Sequence, residues 1–377
     1  MITALHLHNF KCFEDQVIPL NNLTLLSGLN GMGKSTTIQA LLLLRQSHDG
    51  YGQISGLNLN GELASLGTAG DVRFENAQTD EMSIGVVDDQ LGKLAWHFAV
   101  DPATDVLMIE QGPAQEWRNL MQCSVFNNDF QYLNAERLGP RTLFGTSDFQ
   151  VRQRRQLGPQ GQYTVHFLAL FGNEDIPVPS LQHRDAMSPS LKNQVEAWLS
   201  DISPGARLNI TALPEMDVVG LRYSFTYGRN ETNPYRTTNV GFGLTYTLPV
   251  LVAILSARPG ALILLENPEA HLHPRGQALM GELFARAAAA GVQIVVESHS
   301  DHVLNGIRVA VRQERIAADQ VSIHFFGRNE ESGAHQLRSP QIDADGRISE
   351  WPADFFDEYE KSLEALLMPR SEEDDEY

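Results

Sequence analysis

The sequence predicts an α/β fold: a mostly parallel core sheet with crossover helices, an antiparallel side-sheet and an inserted lobe. Three observations carry this. Residues 261–326 alternate short apolar runs with helical periodicity, the pattern of parallel strands joined by helices. A glycine-rich loop at 28–35 lies between an apolar run and a second helical pattern. Strand-like segments at 82–87, 93–100 and 106–110 follow one another across Asp/Gly or Pro turns, which suits antiparallel pairing.

Taken in order, 2–10 and 15–20 alternate apolar and polar residues as paired strands, and Asn21-Asn22 is a turn signal. Residues 23–27 read as a buried strand ending at the glycine-rich loop, and 35–46 carries Ile38, Leu41, Leu42 and Leu44 at helical spacing. The middle, 149–234, is less regular, with a helix at 191–202 and strands at 208–213 and 218–227; it is taken as the inserted lobe. A helix at 244–256 precedes strand 261–265, helix 276–290, strand 292–296, helix 301–313 and strand 321–326. The expected division is 1–148 and 235–350 for the two parts of the main domain, 149–234 for the lobe, and 351–377 for a C-terminal helix and acidic tail.

Composition limits the function classes. The chain has 377 residues, 42% hydrophobic and 20% charged, the balance of a soluble globular protein. Apolar runs such as 248–255 are far shorter than the roughly 20 residues that span a bilayer, and the N-terminus enters a strand without a secretory leader pattern. These features predict a cytoplasmic protein with no membrane partner. Cys12 and Cys123 are too few for a disulfide framework or a thiolate zinc site. A net charge of −19 repels nucleic acid overall, so DNA contact would need a local basic patch, for which Arg152, Arg154 and Arg155 are the candidates.

Gly28-Leu29-Asn30-Gly31-Met32-Gly33-Lys34-Ser35 fits the P-loop pattern at every fixed position. Glycines let backbone amides close around phosphate oxygens, Lys34 supplies charge to the β and γ phosphates, and Ser35 can ligate Mg²⁺; Asn30, Met32 and Thr36 complete the cradle. ATP and Mg²⁺ are the implied ligands. The second half of such a site is an acid at the tip of another buried strand. Glu266 supplies it after Ala261-Leu262-Ile263-Leu264-Leu265, as a second metal-facing group, and is followed by Asn267-Pro268-Glu269 and Ala270-His271-Leu272-His273-Pro274. The next strand ends in Glu297-Ser298-His299-Ser300, from which His299 can reach the γ-phosphate. A metal site at His271 and His273 lacks a third ligand at sensible spacing.

This order of P-loop, Gly241-Phe242-Gly243, Glu266-Asn267-Pro268-Glu269 and Ser298-His299-Ser300-Asp301 resembles the ABC-type ATPases of the RecF, SMC and OLD branch. More narrowly it resembles short prokaryotic AAA-type ATPases found with anti-phage and DNA-maintenance systems, whose ending is also suggested by 343–346 and 351–357. The resemblance implies an ABC-ATPase head in which 239–245 is a signature loop, with Gly241 and Gly243 offering amides to the nucleotide of a partner subunit; Thr245 stands where a serine is usual. It makes 270–273 the D-loop, His299 the switch histidine, and Lys11 a basic residue near the phosphates, where the plain alternative is an exposed turn lysine. Asn267 occupies the place of the catalytic glutamate of many relatives, so either Glu269 takes that role or the protein is a nucleotide-gated clamp with little turnover. Glu136 and Arg137 stand in the segment expected to couple nucleotide to lobe, with Gln131 as the alternative.

The implied function is a homodimeric ATPase switch, open to higher oligomers, that sandwiches ATP and Mg²⁺ and controls a separately encoded nuclease or toxin. The rival is an OLD-like nuclease, whose paired acids Asp343 and Asp345 would mimic; Asp343-Ala344-Asp345-Gly346 reads more simply as a turn.

Overall fold

The computed structural model describes residues 1–48, 53–115, 117–329, 333–352, 355–356 and 358–367. The chain opens with β1 (Ile2–Phe10), β2 (Phe13–Pro19) and β3 (Leu23–Gly28), followed by α1 (Lys34–Ser47). Next come β4 (Gly56–Asn58), a short α2 (Ala69–Val72), β5 (Glu81–Asp88), β6 (Gly92–Ala99), β7 (Val106–Gln111), a short α3 (Trp117–Leu120) and β8 (Phe130–Leu133). The middle holds β9 (Leu143–Gly145), α4 (Thr164–Phe171), α5 (Leu191–Ile202), β10 (Ala206–Leu213), β11 (Val218–Tyr227), β12 (Asn230–Glu231) and β13 (Tyr235–Arg236). The rest is α6 (Phe242–Leu255), β14 (Leu262–Glu266), α7 (Pro274–Ala289), β15 (Gln293–Glu297), α8 (Asp301–Arg312), β16 (Val321–Arg328), β17 (His335–Arg338) and α9 (Glu358–Leu367).

The core sheet has the order β17-β16-β3-β15-β14-β8, parallel except for β17, which lies antiparallel on β16. Its central strands are continuous apolar runs because both faces are covered. Side chains alternate between two cores. Ile263 and Leu265 of β14 join the cluster of α6, α7 and α8, whereas Leu262 and Leu264 join α1 and the side-sheet. The side-sheet is antiparallel throughout, in the order β2-β1-β5-β6-β7-β4.

The middle segment builds a small sheet in which β11 pairs with β10, β12, β13 and β9, so its pairing starts upstream of residue 149. Its apolar residues, including Val195, Leu199, Leu221 and Tyr223, share one core with α6 and the parallel sheet. A π-helical turn at Phe149–Gln153 and helix α4 also form there; neither follows from the sequence pattern. After β17 the chain returns over the head through a bridge of Ile342 to Ile348 and a buried Phe355. The acidic tail at 371–377, with Ala353, Asp354 and Asp357, lies outside the described residues. Among the described residues no helix is long and apolar enough to cross a membrane.

Helices α7 and α8 touch backbone to backbone. A Cβ on Gly281 would stand 2.2 Å from the Val303 carbonyl oxygen, and one on Gly306 2.1 Å from that of Ala278. Gly306→Ala should therefore cost roughly 1–3 kcal/mol through overpacking, read as a lowered denaturant midpoint. Gly145→Ala, which meets nothing within 4 Å, should leave the midpoint unchanged.

Candidate functional site

The site lies where parallel strands end. Strand β3 delivers the chain into the loop, and α1 leaves from Gly33, whose φ of 111° only glycine adopts readily. A Cβ there would also lie 2.4 Å from the Phe13 ring, and one on Gly28 2.1 Å from the Phe326 carbonyl oxygen. Lys34 is 3% exposed, and its Nζ donates to the carbonyls of Gly28 and Leu29, both at 2.8 Å, holding the ammonium inside the loop. Burial pushes its pKa down, with Glu297 opposing. Asn30 and Gly31 form the exposed crest, while Met32 packs on the core beneath. Thr36 is buried, its hydroxyl 3.9 Å from the Cys12 thiol.

Ser35 Oγ donates to Glu297, 3.0 Å from one carboxylate oxygen and 3.2 Å from the other. Glu266, the acid expected at this place, instead accepts from the Tyr132 hydroxyl at 3.0 Å and the Ala135 amide at 3.3 Å. The two acids are neighbours, since β14 and β15 pair Glu266 directly with Glu297. Burial raises both pKa values, and the Glu266 charge raises that of Glu297 further. Glu297 is 7% exposed. Sequence reasoning passed over it in favour of His299. Its signal was the same one that selected Glu266: an acid ending an apolar strand.

Glu269 also reaches this cluster. One of its oxygens accepts from the His299 amide at 2.9 Å, and the other is buried with no hydrogen bond, as is Asn267 Oδ1. Burial raises the Glu269 pKa. His299 reaches solvent, and partial desolvation of its ring, then the nearby Lys34 charge, lowers its pKa. The turn carrying these groups contains Asn267 and His271 at positive φ, 44° and 64°.

Arg137 fastens this turn. Its Nη1 donates to the Glu266 carbonyl at 2.7 Å and that of Asn134 at 3.0 Å, its Nη2 to Asn267 at 2.6 Å, and its Nε to Tyr246 on α6 at 3.2 Å. Burial pushes its pKa down to about 10, against the nearby Glu269 charge. Glu136 is exposed, whereas Gln131 faces the lobe, donating to the Arg155 carbonyl at 2.5 Å and accepting from the Leu157 amide.

Gly241 caps α6, which begins at Phe242 rather than Leu244. Gly243 is required by proximity, since its Cβ would stand 2.7 Å from the His271 carbonyl oxygen. His271 meets the Tyr246 ring edge-on and the Phe242 ring at a tilt, and His273 Nδ1 caps α7. This loop borders a cavity of about 580 Å³ with Phe225 and Tyr235. Lys11, whose Nζ donates to Gln39 at 2.7 Å, borders another of about 590 Å³ with Phe13 and His335, beside the P-loop helix. The two cavities share no lining residue.

The remaining candidates settle into structural roles. Asp343 accepts from the amides of Asp345 and Arg347 within a turn, and Asp345 pairs with Arg312. Arg152 pairs with Asp148 and Arg155 with Glu174, both at 3.0 Å.

A P-loop strand flanked by β15 and β16, with acids at the tips of β14 and β15 and a glycine-capped α6, forms a P-loop ATPase fold of the kind seen in Smc heads. Family comparisons divide the chain further. Residues 1–116 match an AAA ATPase domain, residues 137–305 match "AAA domain, putative AbiEii toxin, Type IV TA system", and residues 316–366 match a protein family of unknown function, DUF3696. Similar solved structures include an Smc head bound to the C-terminal winged-helix domain of ScpA, at 15% identity and TM-score 0.54, covering 90% of this chain and 98% of that one. Another is the Smc head with an extended coiled coil bound to the C-terminal domain of ScpA from Pyrococcus furiosus, at 14% identity and TM-score 0.54, covering 97% and 99%. No curated protein sequence matches the chain.

Arg137→Met should leave buried carbonyls unpaired and lower stability by about 1–3 kcal/mol in denaturant unfolding. Arg137→Lys, which keeps the charge but not the planar fork, should recover only part of the loss.

Proposed function

We propose that this chain is an ATP-hydrolysing switch that works as a homodimer and drives a separately encoded effector in anti-phage defence or DNA maintenance. The observation that carries the reading is the convergence of Lys34, Ser35, Glu266, Glu269 and Glu297 on one row of strand ends. The domain matches support the setting in defence or DNA maintenance, and the ScpA-bound Smc heads support action through a partner protein.

The donor set fits Mg²⁺: Ser35, Glu297 and Glu266 offer only hard oxygen ligands, and the two acids lie side by side at the tips of paired strands. Bound there, Mg²⁺ would neutralise charge developing on the β and γ phosphates. Lys34 turns its ammonium from the loop carbonyls to the phosphates. Asn267 orients a water by hydrogen bonding but cannot take its proton, which leaves Glu269 as the base and His299 as the group contacting the γ-phosphate. The amide at 267 also favours a second reading, a clamp that closes on ATP and turns over slowly.

Phosphate release and light-scattering mass, each with and without ATP, test the proposal. Lys34→Ala should lose turnover and ATP-dependent dimers, and Glu269→Gln should lose about 10²–10⁴-fold in turnover while still dimerising. Glu297→Gln should weaken Mg²⁺-dependent nucleotide binding by calorimetry, with Mg²⁺-free binding little changed. Wild-type protein that binds ATP but neither releases phosphate nor changes mass would sink the switch.

A further inference from the structure

Two carboxylates stand side by side at the strand tips, and the P-loop serine bonds only one of them. Ser35 Oγ donates to both oxygens of Glu297, at 3.0 and 3.2 Å. Glu266, paired with Glu297 in strand register, takes its hydrogen bonds from the β8 side instead. The Tyr132 hydroxyl donates to one oxygen at 3.0 Å and the Ala135 amide to the other at 3.3 Å. The acids do not make this choice themselves, since both are glutamates that end strands of five residues.

Strand β8 makes it. It runs parallel to β14 with Tyr132 opposite Leu264, and both side chains lie on the sheet face that α1 covers. Glu266, two residues beyond Leu264, belongs to that same face. Two residues of strand span roughly 6.6 Å, and the tyrosine ring carries its hydroxyl across that step to the carboxylate. The ring is 7% exposed, and the lobe entry holds its strand from the other side. Gln131 Nε2 donates to the Arg155 carbonyl at 2.5 Å, Gln156 Nε2 to that of Phe130 at 2.7 Å, and the Asn134 amide to that of Pro159 at 2.9 Å. A phenol is a neutral donor, so it directs a carboxylate without cancelling its charge as a lysine or arginine would. Arg137, the cation whose charge reaches Glu266, gives its hydrogen bonds to carbonyls.

We propose that Tyr132 is a positioning residue that divides the work between the two acids: by holding Glu266 toward β8 it leaves Glu297 as the acid that acts with Ser35. The inference rests on the Mg²⁺ reading of this site. Without the hydroxyl, Glu266 keeps only the long bond from the Ala135 amide. It then stands one strand from Glu297, about 4.8 Å away along the sheet, within reach of the same place. The tyrosine thus makes two chemically equal carboxylates unequal, and it does so from the strand that the lobe grips.

The test is a double-mutant cycle on the full-length protein. Its readout is affinity for the non-hydrolysable imido analogue of ATP, measured by calorimetry with Mg²⁺ and again with EDTA. In the wild type, Glu297→Gln should weaken Mg²⁺-dependent binding by about tenfold or more. In Tyr132→Phe, which keeps the packed ring, the same change should cost less by a factor of about three or more, because Glu266 is free to replace the lost acid. Adding Glu266→Gln to the double variant should remove that recovery. Binding in EDTA should be alike in wild type, both single variants and the double variant, which a general loosening of the site would not allow. The proposal is overturned if the costs of Tyr132→Phe and Glu297→Gln are independent, if the recovery survives Glu266→Gln, or if binding in EDTA changes in step with binding in Mg²⁺. A Glu297→Gln that costs nothing in the wild type removes the Mg²⁺ reading itself, and this inference falls with it.

Discussion

The buried guanidinium of Arg137 is the junction on which this head depends. At 2% exposure a cation ordinarily requires a carboxylate partner, yet its hydrogen bonds among the described residues go to backbone carbonyls of the β8 exit, the turn after β14 and helix α6. Carbonyl dipoles satisfy the donors without consuming a side-chain charge. No side-chain carboxylate of the turn hydrogen-bonds this guanidinium, and the turn is fixed to the helix that opens at Gly241. One planar group therefore ties helix α6 to the turn.

The strand tips concentrate negative charge. Burial raises the pKa of Glu266, Glu269 and Glu297, and the two near cations, Lys34 and Arg137, are tied to backbone carbonyls. A nucleotide adds more negative charge, so the free triphosphate meets repulsion that a metal-bound one does not. The cost is borne by the resting fold, as is usual where function needs charged groups held close in a dry place.

Much of this was legible in the chain. Continuous apolar runs marked the parallel strands because those strands are covered on both faces, and the glycines of the P-loop marked a backbone only glycine can follow. Lys34, Ser35, Glu266, Glu269 and His299 were each found from local strings and do meet at the strand ends. What escaped was set by pairing between distant segments. The bond from Ser35 to Glu297 spans 262 residues, and strand register is not written in either string. The pairing of β9 with β11 has the same origin. Arg137 was found, but its work of joining carbonyls, rather than meeting an acid, could not be read from residue type.

The level ending of β14 and β15 has an evolutionary corollary. When adjacent parallel strands stop at the same height, an acid can change strands while staying at nearly the same point in space. The inheritable unit is then the row of tips, and a lineage can lose the acid after one strand without losing the reaction. Motifs written as linear strings would score such a chain as defective, although its chemistry had only moved one strand sideways.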